Sequence, residues 1–299
     1  MLRLDCRYTV NCITFESVPV ACQPLNNLKG VMTMAYKLMA VDIDGTLFNS
    51  DGFLTEVTKK AILESVEKGL IFTISTGRPL QGVEALNRML NLDLPFITYN
   101  GAMVIMGKSK EILYEQRLSA ENAKEIIELA KKYQTTFMVW ADNKLLVTEI
   151  NDRVNLYKQI STVEPTLVDD LGEWIKNGVT KILWYDEVEN IDRFQSEVGR
   201  YLGNRVNCHT SRPNFLEFVD INASKAIAME KIGEHYGIKQ NEMIAVGDGY
   251  NDLSMIEYAG LGVVMANAKD VIKEKGDYIT LSNDEDGVAH VIYKFVINA

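Results

Sequence analysis

Cysteine is scarce in this 299-residue sequence, which contains only 4 cysteines. Cys6, Cys12 and Cys22 precede the first predicted strand with a spacing that fits no zinc pattern, and Cys208 is alone in the body of the chain. This usage argues against a disulfide scaffold and suits a reducing cytoplasm. The N-terminus also lacks the basic segment and apolar core of a signal peptide. We therefore expect a cytoplasmic protein.

The sequence also lacks the histidine and glycine motifs that mark several classes of enzyme. The chain has 3 histidines, His209, His235 and His290, and none of them lies in a motif, which makes a histidine-based hydrolase an unattractive interpretation. Neither the P-loop nor the dinucleotide-binding glycine pattern occurs. Their absence disfavours a nucleotide-driven kinase and a dehydrogenase.

The chain has no apolar run of membrane-spanning length and no excess of positive charge. With 31 basic and 41 acidic residues, its formal net charge of −10 argues against a broad nucleic-acid surface. An acidic protein that binds an anionic substrate needs a metal or a few focused cations. The hydrophobic fraction of 47% and the charged fraction of 24% are ordinary for a globular protein, and the length suggests two domains.

Residues 1–33 differ from the rest of the chain, because they contain Pro19, Pro24 and Asn26-Asn27 and show no clear period. One interpretation is a short arm packed on the domain. The other, which we favour, is that natural translation starts at Met34 and that this extension is not native. Neither interpretation gives the segment any chemistry.

The first motif comes after a short apolar run, Tyr36 to Val41, which is typical of a buried strand in a parallel sheet. Asp42 falls at the end of this strand, where open α/β sheets bind ligands. Asp44 can approach the same pocket, and Gly45 allows a sharp turn before the Thr46 hydroxyl. Two buried carboxylates need a cation between them. The alternative is an acidic turn that only caps a strand.

Strands and helices then alternate. We predict a helix over Leu54–Lys68, a strand over Leu70–Ser75, a helix over Leu80–Leu90 and a strand over Pro95–Tyr99. This order implies right-handed crossovers and a doubly wound parallel sheet, an α/β fold with a Rossmann-like core. Ser75-Thr76-Gly77-Arg78 joins a strand end to a helix, a suitable site for an anion, although an ordinary turn has the same pattern.

The pattern changes near Leu118. A helix capped by Ser119, two predicted hairpins and further helices indicate an inserted α+β domain, or cap, over residues 119–218. The α/β core would then consist of residues 34–118 and 219–299. We expect Trp140, Trp174 and Trp184 to belong to the core of the cap rather than to a ligand site.

The last part of the chain supplies a third strand end with polar groups. Ser224 caps a predicted helix over Lys225–Tyr236, and the strand Met243–Val246 leads directly into Asp248, Asn251 and Asp252. Oxygen ligands of this kind suit magnesium. A solvated acidic loop explains this strand end alone, but not three that should converge.

Lys225 falls in the first turn of its helix, where the helix dipole disfavours a cation. A bound anion or a carboxylate such as Asp42 would compensate this positive charge. A freely solvated lysine is the alternative.

Together, four ordered motifs resemble those of the haloacid dehalogenase superfamily, and more closely its Cof-type sugar-phosphatase branch. The motifs are Asp42-Ile43-Asp44-Gly45-Thr46, Thr76-Gly77-Arg78, Lys225, and Gly247-Asp248-Gly249-Tyr250-Asn251-Asp252. Asn100-Gly101-Ala102, Ala266-Asn267-Ala268 and the position of the cap match that branch too. The resemblance covers Met34 to Ala299.

This resemblance implies a phosphatase that acts on a small phosphorylated metabolite. Asp42 would attack phosphorus to form an aspartyl-phosphate, and Asp44 would act as general acid and then general base. Magnesium would be held by Asp42, the Asp44 carbonyl and Asp248, with support from Asn251 and Asp252. The phosphoryl oxygens would be bound at Thr76 and Lys225, beside Gly77, and the substrate would be oriented near the cap by Arg78 and Asn100.

Two alternatives remain open at this point. A phosphomutase of the same superfamily would return the phosphoryl group to a sugar instead of water. A non-catalytic phospho-ligand sensor or phosphoacceptor domain would need no acid two residues after the nucleophile, so Asp44 argues against it. Neither the substrate nor the oligomeric state follows from the sequence.

Overall fold

The structure is a computed structural model that describes residues 35–298. The predicted N-terminal extension 1–33, which contains three of the cysteines, lies outside the described residues. So does Met34, the proposed start of natural translation. Of the helices within residues 35–298, none is long and apolar enough to cross a lipid bilayer.

The strands of the described residues alternate with helices in the first and last thirds of the chain. In chain order the strands are β1 (Leu38–Val41), β2 (Ile71–Ser75), β3 (Pro95–Thr98), β4 (Met103–Met106), β5 (Ile112–Glu115), β6 (Thr136–Ala141), β7 (Lys144–Val147), β8 (Thr166–Leu167), β9 (Lys181–Tyr185), β10 (Val206–Arg212), β11 (Phe215–Asp220), β12 (Met243–Gly247), β13 (Leu261–Val264) and β14 (Tyr278–Ile279).

The α-helices of the same residues lie mostly where the apolar periodicity predicts them. They are α1 (Glu56–Glu67), α2 (Glu84–Leu90), α3 (Ala120–Tyr133), α4 (Asp152–Ser161), α5 (Gly172–Ile175), α6 (Val188–Leu202), α7 (Lys225–Tyr236), α8 (Leu253–Tyr258), α9 (Asp270–Lys273) and α10 (Gly287–Ile292). The predicted N-caps Ser119 and Ser224 are confirmed, because each side chain accepts a hydrogen bond from a backbone N–H in the first turn, and Thr55 caps α1 in the same way.

A mixed sheet forms the α/β core. Within residues 35–298 it contains eight strands in the order β14-β13-β12-β1-β2-β3-β4-β5, of which the first six are mutually parallel. Because side chains alternate along β1, Met39 and Val41 pack in one apolar cluster with α1 and α10, while Leu38 and Ala40 pack in another with α7. The predicted doubly wound arrangement is confirmed.

The last two strands of this sheet were not predicted. β4 pairs with β3, and β5 with β4, both in the antiparallel direction. They come directly after the turn Tyr99–Gly101, in which Tyr99 and Asn100 have φ values of 52° and 55°. The turn reverses the chain too abruptly for a helix crossover, so the sheet ends in antiparallel strands at this edge.

A second sheet lies within the cap. In this part of the described chain six strands are arranged as β10-β11-β9-β6-β7-β8. One face of the sheet packs under α3 and α6, with Trp184 fully buried. The opposite face carries Trp140, whose ring lies 5.5 Å from that of Tyr99, a residue of the α/β core. Trp140 and Trp184 are thus buried as predicted, but Trp140 packs at the junction of the cap with the core.

Candidate active site

Polar side chains follow three neighbouring strands of the core sheet. Asp42 comes directly after β1, Thr76 after β2 and Asp248 after β12, and β1 lies between the other two strands. Since these strands are parallel, their carboxyl ends meet at the same edge of the sheet. A cavity of about 680 Å³ opens there, between the core and the cap.

Nine of the ten predicted site residues line this cavity. They are Asp42, Asp44, Thr76, Gly77, Arg78, Asn100, Lys225, Asp248 and Asn251. The tenth, Asp252, is completely buried behind them.

The turn after β1 brings Asp42 and Asp44 to the cavity. Its backbone is closed by a hydrogen bond of 3.1 Å from the Leu47 N–H to the Asp42 carbonyl. Gly45 has a φ of 83°, and a Cβ atom there would lie 2.5 Å from Asp248 Oδ2. The Thr46 hydroxyl donates to Asp248 Oδ1 at 2.9 Å. Glycine therefore permits both the left-handed backbone and the close approach of the Asp248 loop.

Lys225 is the central cation of the site. Its Nζ donates to Asp42 Oδ1 at 2.6 Å, to Asp252 Oδ1 at 2.6 Å and to the Ser75 carbonyl at 2.8 Å, and the residue is 1% exposed. The predicted carboxylate partner of this lysine is present. The unfavourable position of the charge in the first turn of α7 is offset by these two carboxylates.

Burial dominates the electrostatics of the site. Burial, together with the negative charge of Asp252, raises the pKa of Asp42 to about 8 even though Lys225 opposes the shift. Burial also raises the pKa of Asp248 to about 6. For Lys225, burial would lower the pKa, but the charges of Asp252 and Asp42 outweigh it and raise the pKa, so the ammonium stays charged.

These groups fit a divalent cation. Oxygen atoms of Asp42, Asp248 and Asp252 lie within 4.8 Å of one another. With all three carboxylates ionised, the cluster and the Lys225 ammonium have a net charge of minus two, which a divalent cation would neutralise as it displaces the proton that burial favours on Asp42. Hard carboxylate and carbonyl oxygens are the ligands that Mg²⁺ prefers.

Asp252 differs from the other two carboxylates because both of its oxygens are engaged by the protein. Oδ1 accepts from Lys225, and Oδ2 accepts from the backbone N–H groups of Asp248 (3.1 Å) and Gly249 (2.9 Å). This geometry favours a supporting part for Asp252, which holds the loop and the lysine. It leaves Asp42 and Asp248 as the carboxylates that can turn toward a cation.

The turn after β2 supplies donors for an anion. The Thr76 hydroxyl accepts from the Arg78 backbone N–H at 3.2 Å, so its own hydrogen is available to a phosphoryl oxygen. The Asn100 backbone N–H donates to the Thr76 carbonyl at 3.0 Å and ties this turn to the end of β3. A Cβ on Gly77 would lie 2.8 Å from Asn100 Oδ1.

Arg78 contacts the predicted acid and base. Its Nε donates to Asp44 Oδ2 at 3.0 Å and its Nη2 to Asp44 Oδ1, a two-pronged ion pair. The Asp44 carboxylate remains 63% exposed to the cavity. The pair fixes the position of the Asp44 side chain beside the cavity.

Several cap residues at the cavity were not predicted. Among them are Lys181, His209, Ser211, Arg212 and Glu217. Asn100 Nδ2 reaches two of them, lying 2.9 Å from His209 Nε2 and 3.4 Å from Glu217 Oε2. The sequence did carry a signal for Lys181 and Glu217, because a lysine or glutamate inside an otherwise apolar strand is costly to bury without a partner. His209 lies in no motif, so sequence reasoning missed it.

Gly101 allows the end of β3 to touch the start of α7. Its φ is 97°, and a Cβ atom would lie 2.1 Å from the carbonyl oxygen of Ser224. We expect Gly101→Ala to lower the free energy of unfolding by about 2–5 kcal/mol, from backbone strain and overpacking together. Chemical denaturation measures this loss.

Gly69→Ala is the matched control for that substitution. Gly69 has a similar φ of 100°, but no atom of the described residues would lie within 4 Å of a Cβ there. It tests backbone strain alone. If both variants lose equal stability, the close contact between Gly101 and Ser224 is not what constrains this position.

The chain is similar to known proteins over most of its length. The model of the haloacid dehalogenase-like hydrolase family matches residues 39–292. The 5-amino-6-(5-phospho-D-ribitylamino)uracil phosphatase YcsE of Bacillus subtilis is 32% identical, over 87% of this chain and 96% of the relative. The match spans both parts of the core and the cap.

Solved structures agree with the fold. A haloacid dehalogenase-like hydrolase from Bacteroides thetaiotaomicron is 32% identical with a TM-score of 0.78, covering 87% of this chain and 99% of that chain. A sugar phosphatase of HAD subclass IIB is 26% identical with a TM-score of 0.72, covering 87% and 98%. The α/β sheet and the inserted cap are thus shared with solved proteins over nearly their whole length.

Proposed function

The chain belongs to the haloacid dehalogenase-like hydrolase family, as a phosphatase of its Cof type, and from this premise we propose a magnesium-dependent hydrolase of small phosphate monoesters. Sugar phosphates or a phosphorylated cofactor are the proposed substrates. The observation that carries the proposal is the contact of Lys225 with Asp42 beside Asp248. It supports a nucleophile, a fixed cation and a divalent metal acting together at the carboxyl ends of the parallel strands.

Asp42 is the proposed nucleophile. One of its carboxylate oxygens forms a bond to phosphorus while the bond from phosphorus to the leaving oxygen breaks, which gives an aspartyl-phosphate. Lys225 keeps the carboxylate oriented through its hydrogen bond to Oδ1. Thr76 binds a phosphoryl oxygen in the place where negative charge develops, and Gly77 leaves room for the Asn100 side chain beside it.

Asp44 is the proposed acid and base. In the first step it gives its proton to the departing alcohol oxygen. In the second step it takes a proton from a water molecule, whose oxygen attacks phosphorus and releases phosphate and the Asp42 carboxylate. Both Asp44 oxygens accept from Arg78 in the two-pronged ion pair, so Asp44 must leave this ion pair to carry the proton that it donates.

Asp42, the Asp44 carbonyl and Asp248 would hold the magnesium ion, with Asn251 and Asp252 in support. When bound, the ion supplies positive charge that brings the anionic phosphate and the anionic nucleophile together. Asp252 supports the site by fixing the Asp248 loop.

The proposed substrate class is supported by the cavity and by one relative. A volume of about 680 Å³ suits a small metabolite rather than a macromolecule. YcsE is named for a phosphate ester on a ribityl chain, that is, a phosphate on a hydroxylated carbon chain.

Removal of magnesium tests the proposal. We expect hydrolysis of p-nitrophenyl phosphate to fall at least a hundredfold in EDTA and to recover with Mg²⁺, because Lys225 alone does not balance the three carboxylates. Ca²⁺ should restore it poorly, since its larger and looser shell misplaces the nucleophile. Initial rates of p-nitrophenol release measure the effect.

Full activity in EDTA would falsify this mechanism. A second assay separates hydrolysis from phosphoryl return to sugar. With a hexose phosphate, a phosphatase releases inorganic phosphate, whereas a phosphomutase yields an isomeric sugar phosphate without net phosphate release.

A further inference from the structure

A group of polar side chains on the cap faces the cavity and takes no part in the chemistry proposed above, and two of its members are buried. This group, the cap cluster, consists of Lys181, His209, Ser211 and Glu217. His209 and Glu217 are directly opposite each other in the β10–β11 pair, and Lys181 comes from the neighbouring β9. Lys181 is 1% exposed and Glu217 is 4% exposed. Side chains so deeply buried must satisfy their charges and hydrogen bonds locally.

Glu217 has an acceptor oxygen to spare. Its Oε1 accepts from Lys181 Nζ at 3.0 Å and from Ser211 Oγ at 2.9 Å. Within the described chain, its Oε2 accepts only the long contact of 3.4 Å from Asn100 Nδ2. Because a carboxylate oxygen accepts about two hydrogen bonds, Oε2 can take a donor from a ligand. Lys181 balances the negative charge, so the cluster is neutral overall.

His209 has a ring N–H that can donate a hydrogen bond to a ligand. The contact with Asn100 determines which ring nitrogen carries this hydrogen. Glu217 only accepts hydrogen bonds, so the side of the Asn100 amide that faces it must be the NH₂ group. The second hydrogen of that NH₂ group points to His209 Nε2, which therefore accepts. The proton of the neutral ring is then on Nδ1.

This Nδ1–H is buried and has no partner among residues 35–298. Burial lowers the pKa of His209, and the positive charges of Lys181 and Lys225 lower it further, which keeps the ring neutral although Glu217 opposes the shift. A buried donor without an acceptor costs roughly 1–3 kcal/mol. A ligand that supplies the acceptor would recover that energy.

We propose, on the basis of the proposed function, that the cap cluster binds hydroxyl groups of the leaving alcohol. Glu217 Oε2 accepts a hydrogen bond from one hydroxyl, and His209 Nδ1–H donates to a hydroxyl oxygen. Neighbouring hydroxyls supply this pattern because each both donates and accepts. The preferred substrates are therefore phosphorylated sugars or sugar alcohols, and esters without hydroxyls leave both groups unpaired.

Asn100 places this cluster next to the phosphate site. Its amide contacts the cap cluster on one side, and its Oδ1 is 3.5 Å from Asn251 Nδ2 on the other. Its backbone is tied to Thr76. A leaving group that extends from the phosphate past Asn100 would meet His209 and Glu217 directly.

The test compares two kinds of ester in the full-length protein. A panel of phosphorylated tetritols, pentitols, hexitols and the matching sugars identifies the best hydroxylated substrate, and p-nitrophenyl phosphate is the ester without hydroxyls. We expect His209→Leu to lower kcat/KM for the best hydroxylated substrate about ten- to a hundredfold. The change for p-nitrophenyl phosphate should stay within about twofold.

Two variants sharpen this result. His209→Asn should recover part of the loss, because its amide nitrogen can take the place of the Nδ1 donor. His235→Leu, the same substitution at an exposed histidine of α7, should change neither substrate. Equal losses on both esters with His209→Leu would overturn the inference, as would a panel without any preference for hydroxylated esters.

Glu217 is tested as part of a pair, since Glu217→Gln alone leaves Lys181 buried without its counter-charge. The double variant Lys181→Met with Glu217→Gln removes both charges together. It should keep its melting temperature within a few degrees and lose activity on the hydroxylated ester selectively. Unchanged selectivity in a folded double variant contradicts the proposal.

Failure of this inference is distinguishable from failure of the proposed function. If the wild-type protein hydrolyses no phosphate monoester with Mg²⁺, p-nitrophenyl phosphate included, the proposed function itself is wrong. If it hydrolyses p-nitrophenyl phosphate with Mg²⁺ but ignores hydroxyls, only the cap cluster has been misinterpreted.

Discussion

Asp42→Asn is expected to bring hydrolysis of every phosphate monoester below detection, because an amide is a far poorer nucleophile than a carboxylate. The fold should survive the change. An asparagine oxygen can still accept from Lys225, and Lys225 keeps Asp252 as its counter-charge. The loss is therefore chemical rather than structural.

The loss of hydrolysis is measured by phosphate release. The loss of phosphoryl transfer is measured by intact-mass detection of the phosphoenzyme after rapid quenching. Asp192→Asn, the same substitution at an exposed position of α6, is the control and should retain wild-type rates. Wild-type turnover by a folded Asp42→Asn protein would show that another residue attacks phosphorus. It would also favour the alternative of a phospho-ligand sensor, in which Asp42 only binds the ligand.

Asp44→Asn should behave differently from Asp42→Asn, since the nucleophile remains. The proposed magnesium ligand at this residue is its backbone carbonyl, which the substitution keeps. What is lost is proton transfer, which contributes about a hundred- to ten-thousand-fold. Hydrolysis of alkyl phosphates, whose leaving groups need a proton, should fall by that factor.

An aryl phosphate separates the two steps of the reaction. Nitrophenolate departs with little help from an acid, so transfer to Asp42 should survive better than the later attack of water. Asp44→Asn should then show a burst of p-nitrophenol and accumulate phosphoenzyme, both of which Asp42→Asn lacks. Wild-type rates on alkyl phosphates in Asp44→Asn would assign the acid and base to a different group.

The polar residues at the strand ends could be predicted because each strand and its polar residues are adjacent in the sequence. A buried apolar run followed at once by Asp42 and Asp44, or by Asp248 and Asp252, places carboxylates at the edge of a sheet whatever the strand order. The N-caps were predictable for the same reason, since Ser224 and the first turn of α7 are contiguous in sequence.

The partners of these residues could not be predicted in the same way. Arg78 was expected to face the substrate near the cap, and the structure pairs it with Asp44, a residue 34 positions away. The cap cluster depends on which residues of β10 and β11 lie opposite each other, and a shift of one residue would move Glu217 to the other face. Strand register of this kind is set by long-range packing.

The pairing of β1 with β12 has a consequence for the order in which the protein is made. Asp42 and Lys225 are 183 residues apart, and the whole cap lies between them in sequence. During synthesis β1 leaves the ribosome long before β12 has been made. Until then, the edge of β1 that pairs with β12 has no partner. The cap strands have their partners close in sequence and need no such delay. The charges of the candidate active site are thus brought together only after Lys225 and β12, in the last third of the chain, have been translated.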